Sequence, residues 1–229
     1  MNTATGLTDV PKYSTRTDDW AGRTTSSAPS YGFANSTATD ENISTITAPD
    51  GTIRETHSND LPGQWNDGLV IKTKVGSGSG PTWLAETVTD WEQDAGSANI
   101  RVHQVRATDI TAGLTKATVL SYTSYNNVSV VSEKAFTTDG SVSSTELRRT
   151  ETSYVTSSSY TSRHLLHLPS SVQVFPGAST TPAARVDYAY DNYGSSHANM
   201  TARSDIVMHD EAFNPFTLAE NKCEYDCLR

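Results

Sequence analysis

Apolar and polar side chains alternate along most of this chain in short runs, and Gly, Pro, Asn and Asp separate the runs. An alternation of period two puts successive side chains on opposite faces of an extended strand, so the pattern predicts β-structure. Leu69, Ile71, Thr73 and Val75 alternate with Val70, Lys72 and Lys74. Trp83, Ala85, Thr87, Thr89 and Trp91 are expected on one face of the next run, with Leu84, Glu86 and Val88 on the other. Ala117, Val119 and Ser121 oppose Thr118, Leu120 and Tyr122, and a further run begins at Val128, Val130 and Ser132.

The clearest patterning is C-terminal. Val172 and Val174 alternate with Gln173 and Phe175 before Pro176-Gly177. Ala184, Val186, Tyr188 and Tyr190 share a face, and Asp191-Asn192-Tyr193-Gly194 supplies residues that tolerate a tight turn. Met200, Ala202, Ser204, Ile206 and Met208 then form the next face. Strand, turn and strand repeat as a meander, and the chain reads as all-β with one helical turn near Phe213–Asn221. Three stretches result: a weakly patterned β-rich segment over 1–80, a repetitive sheet segment over 81–216 and a frayed tail over 217–229. Gly76–Gly80 followed by Pro81 reads either as a linker or as a long hairpin loop.

Composition explains what fills the outward positions. Hydrophobic residues make up 35% of the 229 residues and charged residues only 19%. Ser and Thr supply the difference, since β-branched Thr suits the half-exposed face of a strand. The net charge of −9, with 17 Lys and Arg spread thinly, argues against nucleic acid as a partner. No apolar stretch is long enough to predict a membrane-spanning helix. The first 20 residues lack a basic region followed by an apolar one, so no secretory signal is expected in this piece.

Turn-centred units recur. Residues 186–206 hold Tyr190-Asp191-x-x-Gly194 between two alternating runs. Residues 119–136 form a degenerate counterpart in which Tyr122 and Tyr125 precede Asn126-Asn127, and residues 17–26 and 48–56 are weaker versions. One hairpin cannot bury its own face, so such units are expected to be strung into a continuing sheet.

These residues resemble the RHS proteins, which are built from YD repeats: Tyr190, Asp191 and Gly194 match that family's Tyr-Asp-x-x-Gly core. Residues 149–194 and the segment Trp83–Asp94 are similar to stretches between and before such units, and the resemblance covers about residues 15–216. It implies successive antiparallel hairpins forming an extended, curling sheet, a fragment of a larger hollow shell. It further implies a surface or toxin-delivery protein at the cell surface or outside the cell, with the rest of a longer chain as partner. The family's Asp-Pro-x-Gly closing element is missing from this sequence. Tyr188, Tyr190, Asp191, Gly194, Tyr122, Tyr125 and Asn127 are expected to serve packing and turns, with no catalytic residue, metal or cofactor.

Other constellations are weaker. His164 and His167 beside Arg163 share a face only on a helix, and Pro169 follows closely. His209, Asp210 and Glu211 gather an imidazole and two carboxylates, the ingredients of a β-rich glycoside hydrolase. Cys223 and Cys227 complete no zinc set. Asn35, Asn42, Asn127 and Asn199 head Asn-x-Ser/Thr triplets, which a Ser/Thr-rich chain produces by chance. Trp20, Trp65, Trp83 and Trp91 offer rings on which a sugar can stack, and Trp83 and Trp91 are the candidate ligand platform of an alternative, carbohydrate-binding module.

Overall fold

The computed structural model describes residues 15–17, 30–78, 80–96, 99–190, 200–208 and 215–216, with side chains described between 31 and 190. The strands are β1 (Thr15–Thr17), β2 (Ser30–Ala38), β3 (Glu41–Thr47), β4 (Thr52–Asn59), β5 (Val70–Ser77), β6 (Thr82–Gln93) and β7 (Ile100–Asp109). They continue as β8 (Leu114–Tyr122), β9 (Val128–Lys134), β10 (Glu146–Tyr154), β11 (Pro169–Pro176), β12 (Ala184–Tyr190), β13 (Met200–Met208) and β14 (Pro215–Phe216). A single helical turn, α1 (Ser158–Thr161), lies between β10 and β11. Strand order in the sheet follows chain order. Neighbours are antiparallel from β1 to β6 and from β8 to β14. The all-β reading as successive antiparallel hairpins therefore holds. No helix among the described residues is long and apolar enough to cross a membrane.

Two compact units divide within β6 and β7: Met1–Thr89 with Ala107–Gly113, and Asp90–Arg106 with Leu114–Arg229. In the first unit the weakly patterned N-terminal residues make full strands, because their turns are well specified. Gly51 takes φ 83 in the β3–β4 turn, while the Asp50 carboxylate accepts from the Thr52 N–H at 2.9 Å. Gly76 and Ser77 are the end of β5 and pairing resumes at Thr82, so the Gly/Ser stretch is a hairpin loop; Ser79 within it lies outside the described residues.

Burial is thin in both units. The buried hydrophobic residues among those described are Ile53, Ala117 and Phe175, joined by the polar His57, Thr115, Ser132 and Ser171. Strands such as β5 and β9 are half-buried along nearly their whole length rather than alternately buried and exposed. Side chains thus shield one another laterally along a sheet face, as cross-strand neighbours do. A sheet of this kind needs few large apolar residues, which suits a chain that is 35% hydrophobic.

Two local expectations are corrected. The helical turn expected near Phe213–Asn221 is not helical where it is described: Pro215 and Phe216 pair with Met208 and Val207 as strand. Proline there sits in the outermost strand, where its missing N–H is tolerated. The turn of helix falls instead at Ser158–Thr161, where Ser157 O accepts from both Tyr160 N and Thr161 N. The β6 alternation also breaks. Pairing steps from Val75↔Ala85 to Gly76↔Trp83, so Leu84 is an extra residue in β6. The bulge moves Trp83 from the face of Ala85, Thr87 and Thr89 to that of Glu86, beside Lys74 and Gly76.

Candidate functional site

Three tyrosines define a recurring arrangement in the second unit. Tyr122 ends β8, and its hydroxyl donates to Val102 O in β7 at 2.5 Å. Tyr154 ends β10 and donates to Val128 O at the start of β9 at 2.8 Å. Tyr190 ends β12 and donates to Pro169 O at the start of β11 at 2.9 Å. Each tyrosine also follows a register shift against the next strand: at Ser121/Tyr122, Ser153/Tyr154 and Ala189/Tyr190. The irregularity re-aims the last side chain of the strand, and the phenol then closes back on the preceding strand. Burial pushes all three hydroxyls above their ordinary value of 10.0.

The structure therefore sorts the predicted repeat residues. Tyr122 and Tyr190 occupy the clasp position, and Tyr188 is half-buried two residues earlier on β12. Tyr125 lies in the β8–β9 turn and is 51% exposed. The reason is local, since Thr123 Oγ1 accepts from Tyr125 N and Asn127 N, folding the chain away from the sheet. Asn127 fastens that turn to the segment after α1 by donating its Nδ2 to Leu166 O. Asp191 and Gly194 lie outside the described residues. Tyr154 belongs to the set and was not singled out by the repeat reading. Ser121, Ser153 and Ala189, each small and exposed, precede the three clasping tyrosines, but exposed Ser124 also precedes the non-clasping Tyr125, so the shared feature is the register shift beside the strand end. Tyr160 of α1 adds an edge-on contact to the Tyr190 ring, with centroids 6.5 Å apart.

Beside the clasps, one sheet face of the second unit carries an ordered charge network. Val119, Ser132, Arg149 and Phe175 form a cross-strand row over β8–β11, with Ser132 and Phe175 buried. The Arg149 guanidinium stands 4.5 Å over the Phe175 ring and donates to Glu146 Oε1 at 2.8 Å and Glu151 Oε1 at 2.6 Å. Those carboxylates raise the Arg149 pKa, with the Glu151 hydrogen bond the larger influence. Elsewhere in this unit Glu133 bridges Lys116 and Arg148, and the Lys116 hydrogen bond holds its carboxyl below the ordinary 4.5.

The first unit repeats the theme. His57 is buried between two carboxylates, its Nδ1 2.7 Å from Glu41 Oε2 and its Nε2 3.3 Å from Glu55 Oε2. Lys72 approaches Glu41 at 3.8 Å, and the hydrogen bond with His57 is the main cause of a lowered Glu41 pKa. Lys74 lies 5.3 Å over the Trp83 ring, whose edge covers Gly76. The Trp83 ring is half-buried, packed against Gly76 of the neighbouring strand with Lys74 above it. Trp91 lies in the second unit and makes an interaction of its own.

Of the remaining candidates, His164 and His167 are exposed in the segment after α1, His164 with φ 60, and they share no helix. No group of three or more His, Cys, Asp or Glu among the described residues is arranged to hold a metal ion. His209, Asp210, Glu211, Cys223, Cys227 and Asn199 lie outside the described residues.

No family model matches the chain. No curated protein matches it either. Among solved structures the chain is similar to a porin-like protein from Bacteroides uniformis ATCC 8492, at 10% sequence identity. That match covers 82% of this chain and 74% of the other, with a TM-score of 0.38, too slight a likeness to carry function or family.

Proposed function

We propose that the chain is a non-enzymatic structural and interaction module, a YD-repeat segment of an RHS-type surface or toxin-delivery protein. The observation that carries this reading is the recurrence of the tyrosine clasp at Tyr122, Tyr154 and Tyr190, on every second strand. A fixed bond between one strand's end and its predecessor's start, reset by a bulge toward its successor, is a device for adding hairpins one after another. The pairing of charges along the sheet faces supports the same reading. Arg149, Glu146, Glu151, Glu133, Lys116 and Arg148 satisfy one another, so they are spent on ordering strands. The partner in this reading is the remainder of a longer chain, located at the cell surface or outside the cell.

The test is expression from the complete reading frame, followed by protease treatment of intact cells and electron microscopy of the purified product. Further strands that end in a small residue and a clasping tyrosine, on a protein cleaved from outside the cell, are the expected result. Neighbouring sequence without such strand ends, or a product protected inside intact cells, would overturn the reading.

A further inference from the structure

The β4–β5 connection carries a feature that the repeat reading does not use. Residues 60–69 are bound together by a dense set of hydrogen bonds. Gln64 N donates to Leu61 O at 2.9 Å, Asp67 N to Gln64 O at 3.2 Å and Gly68 N to Asn59 O at 3.0 Å. Side chains reinforce them: Asp67 Oδ1 accepts from Leu61 N at 2.9 Å, and Asn59 Nδ2 donates to Asn66 O at 3.0 Å. Asp60 N donates to Asp40 O at 2.8 Å, which ties the loop to the β2–β3 turn. So firmly built a loop nevertheless leaves Trp65 39% exposed. Trp83 of the same unit, by contrast, is half-buried beside Lys74 and Gly76.

We propose that this loop is a binding site for a neutral carbohydrate, with the Trp65 indole as the stacking surface for a pyranose ring. Three observations select that ligand class. The loop backbone that carries Trp65 is held by its own hydrogen bonds, so little ordering of the loop is needed on binding. Exposed Gln64 and half-buried Asn66 flank Trp65 in the chain, with half-buried Asp60 at the start of the same loop. Such groups pair with sugar hydroxyls as donors and acceptors. Finally, residues 59–70 contain Asp60 and Asp67 but no Lys, Arg or His, which disfavours phosphates, nucleic acids and acidic sugars. The proposal is independent of the RHS reading, since it concerns one loop outside the clasped strands.

The experiment is affinity electrophoresis of the full chain through gels containing hydroxyethyl cellulose, xyloglucan, galactomannan or soluble starch, with polygalacturonate and heparin as anionic controls. The wild-type chain should be retarded by at least one neutral polymer and by neither anionic one. Trp65→Ala should weaken that retardation at least about tenfold in apparent affinity, Trp65→Tyr should keep part of it, and Gln64→Ala should lower it severalfold. An unchanged melting temperature for Trp65→Ala separates loss of the site from loss of the fold. The proposal is overturned if no neutral polymer retards the wild type, if Trp65→Ala is retarded equally, or if only the anionic polymers act.

Discussion

The hydroxyl of Tyr154 donates to the carbonyl of Val128 at 2.8 Å, joining the last residue of β10 to the first residue of β9. That bond crosses the open end of a hairpin whose turn lies at the opposite end. Removing the hydroxyl alone, in Tyr154→Phe, should cost about 1 kcal/mol in urea unfolding. Amide exchange at Val128 and Ser129 should accelerate more than exchange at the far end of β9. Uniform acceleration along β9 would count against a local clasp.

The three clasping hydroxyls should also report themselves in alkaline titration. Burial raises the pKa of Tyr122, Tyr154 and Tyr190 above 10.0, so the folded state favours the neutral phenol. The stability they contribute is therefore present below pH 10 and lost as pH rises past it. Phenolate absorbance should therefore include a late phase, above pH 10, that comes from these three rings. A Tyr122→Phe, Tyr154→Phe, Tyr190→Phe variant should lack the late phase, and a retained late phase would assign it to other tyrosines.

Acid should loosen the sheet by the opposite route. Lys116 and Arg148 hold Glu133 below 4.5, and the hydrogen bond with His57 does the same for Glu41. A carboxylate with a depressed folded-state pKa contributes stability above its unfolded value, and that stability disappears as pH falls through the folded one. The melting temperature should thus fall as pH drops below about 4.5, less steeply in Glu133→Gln than in wild type. Because Arg148 is 60% exposed at its side chain, 1 M salt should shrink the difference between the two proteins.

Gly76 is a different kind of constraint. A Cβ at this position would stand 2.7 Å from Thr82 O and 2.9 Å from a Trp83 ring carbon, and the backbone oxygen has no rotamer by which to withdraw. Gly76→Ala should destabilise the first unit by about 1–3 kcal/mol and change Trp83 fluorescence. Wild-type stability in that variant would show that the β5–β6 bulge relaxes freely.

Arg149 tests the charge network. Its guanidinium serves Glu146, Glu151 and the Phe175 ring at once, and a lysine ammonium cannot reproduce that planar geometry. Arg149→Lys should cost about 2 kcal/mol in chemical denaturation, most of the loss seen in Arg149→Ala. A lysine variant within about 0.5 kcal/mol of wild type would reduce the network to simple charge pairing.

Alternation, turn residues and a hydroxyl-rich composition were enough to determine an all-β chain of antiparallel hairpins, because side-chain period and turn chemistry act within a few residues. The same local character limits what could be read. Ser121-Tyr122 and Ser124-Tyr125 present nearly the same local sequence, yet only Tyr122 meets a carbonyl of the preceding strand, while Tyr125 points into solvent. Tyr154, with the same small residue before it, is followed by no Asp, Asn or Gly turn, yet its hydroxyl meets Val128 O at 2.8 Å. Period two likewise placed Trp83 with Thr87 and Thr89, until pairing against Gly76 put one extra residue into β6 and turned the indole over. Register shifts of this kind depend on what the neighbouring strand offers opposite each position. Tertiary structure therefore decided which rings clasp, which cover the sheet and which, like Trp65, stay exposed.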